Sequence, residues 1–268
     1  MSYSLYQLAF IFLIYAVLGW ICEEVFAFVK HGKIINRGFL AGPVCPIYGF
    51  GMLIISACLA PIRNIPLLLF LGSAILTTAL EFLTGFILEQ FFHTKWWDYS
   101  KEHFNVKGYI CLKFSILWGL AGVFMMDIVH PPVMKLIDRI PHKIGCIILA
   151  VAAVILVIDI TTTLISMIDL RRSLKRFDEL YARAEEFKAK LESAAEVGSE
   201  RLEERTSQLK SDLAHQSRQL NEKCMQLSAE LHKRHRRFLN AFPDFENGER
   251  FSKLKKAFEE SREKHKKQ

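Results

Sequence analysis

Apolar residues come in five long runs, at roughly 5–29, 44–61, 66–92, 109–129 and 144–168, the first four each followed by a short polar stretch. A helix needs about 20 apolar residues to cross a hydrocarbon core of about 30 Å, so the pattern predicts five membrane spans. The second run is the shortest and the third the longest. Beyond residue 168 the pattern changes to rows that recur every eleven positions. Leu180, Leu191, Leu202, Leu213 and Cys224 form one row, and Phe187, Gly198, Leu209, Leu220, Leu231 and Phe242 form another. A row of small residues, Ala184, Ala195, Thr206, Ser217 and Ser228, runs between them. An eleven-residue repeat has about 3.67 residues per turn and favours a nearly straight or slightly right-handed coil. The stripe is narrow and its flanks mix both charges, which fits a cytoplasmic coiled coil better than a membrane-surface helix. Gly198 weakens the coil, and Pro243-Asp244 ends it. The expected fold class is therefore all-α: a polytopic membrane helix bundle over 1–168, a coiled coil over 169–243, and a short basic amphipathic helix over 244–268. The lysines of that last helix would face either anionic lipid or nothing at all.

Charge follows the same division. Through Ile168 there are 11 Lys/Arg against 9 Asp/Glu, and after it 24 against 19. Met1 to Leu5 carries no basic residue, so the first apolar run is expected to stay as a helix and not to be cleaved as a signal peptide. Lys30, Lys33 and Arg37 lie in the first loop, Arg63 alone in the second, and Lys95, Lys101 and Lys107 in the third. Lys and Arg concentrate on the cytoplasmic side, so the amino terminus is expected outside and the carboxyl terminus, after Arg171, Arg172, Lys175 and Arg176, inside. Lys135, Arg139 and Lys143 in the fourth loop argue the other way. Six cysteines without a CxxC pair agree with a reducing compartment.

The first half also repeats itself. Arg37-Gly38-Phe39-Leu40 aligns with Lys107-Gly108-Tyr109-Ile110, Cys45 with Ser115, and Tyr48-Gly49 with Trp118-Gly119. Upstream, Glu24-Val25-Phe26 aligns with Glu89-Gln90-Phe91 if the third loop, with its WWDYS, holds five extra residues. Two helices per unit preserve orientation, so this reads as a parallel repeat. The stretch RGFLAGPVCPIYGFG, residues 37–51, opens the second span with two prolines that donate no amide. Backbone freed inside lipid is tolerated only where protein or water satisfies it. The stretch is thus either packed among helices, lining a small polar cavity, or a Pro-Gly helix start wetted at the headgroups.

Acids inside the spans are the most informative charges, since an ionised side chain at mid-bilayer costs at least about 2.5–3.5 kcal/mol. Glu81 and Asp159 fall near the middle of their spans, while Glu23, Glu24 and Glu89 lie toward the inner ends. Such acids are protonated, paired or part of an ion or substrate path. Arg37, Lys107 and Lys113 are the expected partners of Glu24 and Glu89. Asp98, between Trp97 and Tyr99, is not explained by an aromatic belt alone. No HxxxH or HExxH spacing occurs, so no metal site is expected, and no cofactor motif is present. The expected path residues are Glu24, Arg37, Glu81, Glu89, Asp98, Lys107, Ser115 and Asp159.

Gly19-Trp20, Glu24, Arg37-Gly38, GPVCPIYG at 42–49, Glu81, Glu89, WDYS at 97–100, Gly108 and Trp118-Gly119 together resemble the bacterial ABC-transporter type IV, or CmpB-like, permease family, over about residues 5–130. The resemblance implies a bacterial cell-membrane protein that moves a small solute with the help of a separate ATPase. The chain has no GxxxxGK[ST] phosphate loop of its own. An intramembrane enzyme acting on lipid-linked substrates at the inner leaflet, or a scaffold acting through its coil, are the alternatives. Ser115 and Cys45 have no base near them in sequence, so the enzyme reading names no reaction and a non-enzyme is expected. The lipid bilayer is the expected environment, self-association through the tail the expected assembly, and nucleic acid no expected partner.

Overall fold

The computed structural model describes residues 3–32, 36, 38–92, 95–196 and 203–235. Arg37, His93, Gly198 and the basic helix expected over 244–268 lie outside the described residues. The chain is all-α. Its helices are α1 (Leu5–His31), α2 (Pro46–Leu59, extended by a 3-10 turn at Ala60–Ile62), α3 (Pro66–Phe92), α4 (Leu112–Phe124), α5 (His130–Arg139), α6 (His142–Glu196) and α7 (Glu203–Arg234). A two-residue antiparallel ladder, β1 (Asn105–Val106) on β2 (Ile110–Cys111), closes the loop between α3 and α4. The chain divides into two units, Met1–Ile165 and Ser166–Gln268.

Among the described residues four helical stretches are long and apolar enough to cross a membrane: Leu5–Val29, Pro66–Phe92, Leu112–Arg139 and His142–Lys190. The second expected span is the shorter apolar helix Pro46–Ile62. The fourth expected span, placed at 109–129, instead continues to Arg139, so Lys135 and Arg139 stand on a helix and not in a loop. Pro131 and Pro132 have no amide to donate to the carbonyls four residues back, which argues for a break there. The chain absorbs the missing donors in a π-helical turn, Met125–Val129, directly before the prolines. His130, buried beside that turn, meets Tyr3 Oη through Nε2 at 3.0 Å and Tyr15 Oη through Nδ1 at 3.3 Å, tying α5 to the start and middle of α1.

The core of the first unit gathers Phe10, Ile11 and Tyr15 of α1, Met52, Ile55 and Leu59 of α2, Leu69 of α3, and Met126 and Ile137 around the π turn. Two glycines let the helices approach. A Cβ on Gly49 would sit 2.7 Å from the Phe12 side chain and its carbonyl oxygen, and one on Gly119 would sit 2.8 Å from the Phe70 ring. These contacts correct the repeat. The helix starts keep the register read in the sequence, Tyr48 with Trp118 and Gly49 with Gly119. The preceding helices, however, match Phe12 to Phe70 and Glu23 to Glu81, 58 positions apart in both cases, and not Glu24 to Glu89. Twelve more residues therefore separate Glu81 from Trp118 than Glu23 from Tyr48, while the loops between the helices, 93–111 against 32–45, differ by the five expected.

In the second unit, Asp169 Oδ2 lies 3.3 Å from both Arg234 Nε and His235 Nε2. Asp169 precedes the end of α6 by about as many residues as Arg234 follows the start of α7, so α7 returns alongside α6 as an antiparallel hairpin. Leu170, Phe177 and Ala184 on α6 and Ser217, Cys224, Ser228 and Leu231 on α7 are buried. The small row and the apolar rows thus share a covered face, and within one chain α6 is the helix that covers it.

Candidate functional site

The broken stretch before α2 is satisfied residue by residue. Ala41 N donates to Asp159 Oδ1 at 2.9 Å and Gly42 N to Asp159 Oδ2 at 2.8 Å, while the Thr163 hydroxyl donates to the same carboxylate at 3.3 Å. Val44 N reaches the Gly42 carbonyl and Cys45 N the Ala16 carbonyl, at 2.8 and 2.9 Å. Asn36 accepts from the Trp20 indole and from Gly38 N, and donates to the Ala41 carbonyl at 2.8 Å. Pro43 and Pro46 bring no amide donor that would need a partner. A Cβ on Gly42 would meet Asp159 Oδ2 at 3.0 Å, which is why the residue under that carboxylate has no side chain. Asp159 is thus engaged as a cap on backbone amides. A mid-span acid is held here by two backbone amides, with no cation bonded to it among the described residues.

Deeper in the bundle stand two acids that the repeat makes equivalent. The Tyr48 hydroxyl donates to Glu23 Oε1 at 2.6 Å. The Tyr99 hydroxyl donates to Glu81 Oε1 at 3.0 Å, and the Trp118 indole is also within hydrogen-bonding reach of that carboxylate. Tyr48 and Trp118 touch edge to face, with ring centroids 5.8 Å apart, so the equivalent aromatics of the two halves meet between the two acids. Glu81 is 7% exposed, and its Oε2 has no hydrogen-bond partner among the described residues. Tyr99 stacks on Phe114 at 4.6 Å. Burial first, and then the Glu81 charge, pushes the Tyr99 hydroxyl far above its ordinary pKa, so it remains a donor.

The loop that delivers Tyr99 is built by its own polar groups. Partial burial opposes ionisation of Asp98, but the hydroxyl and amide of Ser100, with Lys95 and Lys101 nearby, hold its carboxyl below the usual range. Asp98 therefore shapes a turn: Ser100 N donates to it at 2.9 Å, and Lys95 Nζ lies 3.8 Å away. Lys95 also donates to the Lys107 carbonyl at 2.8 Å, Tyr99 N to the Gly108 carbonyl at 2.9 Å, and the Trp97 indole to the Tyr109 carbonyl at 2.8 Å. Gly108 has φ +75°, and a Cβ there would collide with Asp98, which no other residue type avoids. Lys107 itself is left-handed at φ +52°.

Of the expected path residues, Glu81 stands in the polar cluster with Glu23, Tyr48, Tyr99 and Trp118. Glu24 is buried at 9% exposure, and neither of its carboxylate oxygens has a hydrogen-bond partner among the described residues. Glu89 bonds to the Tyr109 hydroxyl, and no ion pair joins it to Lys107 among the described residues. Lys113 pairs with Glu102 at 3.3 Å. Ser115 Oγ bonds back to the Cys111 carbonyl at 3.1 Å, and Asp159 and Asp98 hold backbone. Arg37 lies outside the described residues. Glu23, Tyr48, Tyr99 and Trp118 were not among the expected residues. The available signal was the alignment of Tyr48 on Trp118, two hydrogen-bond donors at one position of both halves. Among the described residues no three His, Cys, Asp or Glu gather as metal ligands.

Apolar helices of spanning length around a buried acidic and aromatic cluster define a polytopic α-helical membrane protein. The chain belongs to the family described as "Putative ABC-transporter type IV", whose match covers residues 10–164 and so takes in both halves of the repeat and Asp159. No solved structure matches the chain.

Proposed function

We propose that the chain is the permease subunit of a transporter that moves a small solute, with ATP hydrolysis supplied by a separate subunit. The observation that carries this reading is Glu81: an acid midway along α3, buried, and bonded by neutral donors and not by a cation among the described residues. A bilayer-buried carboxylate is costly to keep, and a solute path supplies the reason for keeping it. Family membership supports the same reading. The enzyme alternative has less behind it, since the Ser115 hydroxyl is engaged with its own helix. In this reading the amino terminus is outside and the tail cytoplasmic, where an ATPase works. The test is to purify the tagged full chain in mild detergent from its native membrane and assay vanadate-sensitive ATP hydrolysis in the eluate. Co-purified hydrolysis that changes with Glu81→Gln is the expected result. Absence of hydrolysis, or hydrolysis indifferent to that variant, overturns the permease reading.

A further inference from the structure

We infer that Glu23, Glu81, Tyr48, Tyr99 and Trp118 form a binding site for a small organic ammonium ion carrying N–H donors, a proposal that deepens the permease reading by naming its substrate class. Three observations converge. The two acids sit at equivalent places in the two halves, and their aromatic partners touch each other at 5.8 Å, so the two carboxylates flank one aromatic contact. The buried Glu81 offers Oε2 without a hydrogen-bond partner among the described residues, while its Oε1 is held by the Tyr99 hydroxyl. The walls are rings: Tyr48 and Trp118 edge to face, and Tyr99 stacked on Phe114.

That chemistry selects among cations. A divalent metal prefers several hard oxygen ligands, and no group of three His, Cys, Asp or Glu gathers among the described residues. A bare monovalent ion is drawn to the same ring faces but brings no N–H donors for the carboxylates and no alkyl surface for Trp118 and Phe114. An alkylammonium ion gains from every part: its N–H groups donate to Glu81 Oε2 and to the Glu23 carboxylate, its charge is attracted to the ring faces, and its short alkyl part packs against Trp118 and Phe114. The Tyr48 and Tyr99 hydroxyls, each already donating to a carboxylate, hold those acceptors in place.

The experiment is thermal unfolding of the purified full chain in detergent, without any ATPase, at constant ionic strength. The probes are methylammonium, n-butylammonium, tetramethylammonium and potassium chlorides. The expected result is a Tm rise of several degrees at millimolar n-butylammonium, a smaller one with methylammonium, and none with tetramethylammonium or potassium. Glu81→Gln and Glu23→Gln should lose the rise, and Glu102→Gln, in the loop, should keep it. If Glu81→Gln does not fold, Tyr99→Phe serves, and its midpoint concentration for n-butylammonium should rise at least several-fold. An equal rise with tetramethylammonium or potassium overturns the site, as does no rise in the unsubstituted chain or an undiminished rise in the variants. Because no ATPase is present, failure here leaves the hydrolysis assay of the permease reading independent.

Discussion

The Tyr99 hydroxyl donates to Glu81 Oε1 across 3.0 Å, so a residue of the loop after α3 is bound to the middle of α3 itself. The loop is folded back into the bundle by that bond, and removing the hydroxyl leaves a buried carboxylate with one neutral donor fewer. Tyr99→Phe should cost about 1–3 kcal/mol of stability, the penalty of stranding a buried acceptor. Glu102→Gln, which breaks only the exposed pair with Lys113, should cost about 0–1 kcal/mol. Denaturation in detergent compares them directly, and equal losses would deny Glu81 its special environment.

Asp159 is expected to hold the broken stretch before α2 in place. Asp159→Ala removes acceptors from Ala41 N and Gly42 N together, and hydrogen bonds to a charged group contribute about 1.5–3 kcal/mol each. Cys45, a few residues further on, should then react faster with a maleimide in a background lacking the other cysteines. Unchanged labelling would mean that the stretch is held by Asn36 and the Ala16 carbonyl alone.

Glycine substitutions should separate close approach from mere smallness. Gly49→Ala and Gly119→Ala push a methyl group into Phe12 and Phe70, and overpacking of this kind costs about 1–3 kcal/mol. Gly51→Ala, with Leu80 at an ordinary 3.7 Å, should be neutral or slightly stabilising. Ranking the three by Tm checks it, and a neutral Gly49→Ala would argue against the tight α1 and α2 contact.

In the second unit, Asp169→Cys with His235→Cys, in a chain otherwise free of cysteine, should be joined by a short bismaleimide within one chain, giving a monomer on a denaturing gel. Cross-linked dimers instead would show that the seam forms between chains.

His235 should make that unit sensitive to acid. Burial, opposed by Asp169 and reinforced by Arg234, lowers its pKa below the ordinary histidine value, and the residue is 3% exposed. The unfolded chain then binds the proton more readily than the folded one, so stability rises with pH and is lost as pH falls through the ordinary value of about 6.5. Melting of the helical signal between pH 7.5 and 5.5 should show this slope, and His235→Gln should flatten it.

The all-α class, the apolar helices and the doubled helix start were legible in the sequence because each rests on local information: run length, residue type and a spacing that survives in one chain. Glu81 was legible for the same reason, since an acid in an apolar run stands out wherever the helix packs. The helix through Pro131 and Pro132 was not, because a π turn four residues earlier absorbs what proline removes, and nothing local announces it. The eleven-residue rows identified a face to be covered without saying which helix covers it. Only the meeting of Asp169 with Arg234 and His235 decided that α7 turns back on α6.

Pairing was decided by tertiary structure throughout. From the sequence, Glu24 and Glu89 read as equivalents facing Arg37 and Lys107, because charge complementarity is the readable signal. In the folded bundle Glu23 and Glu81 are the equivalents, and their partners are the neutral Tyr48, Tyr99 and Trp118. A helix rotates by about 100° per residue, so Glu23 and Glu24 point to different neighbours, and which one meets the other half depends on where Gly49 lets Phe12 approach. The sequence by itself determined that acids would lie within the membrane half; only the tertiary packing decided which of them meet the neutral donors Tyr48 and Tyr99.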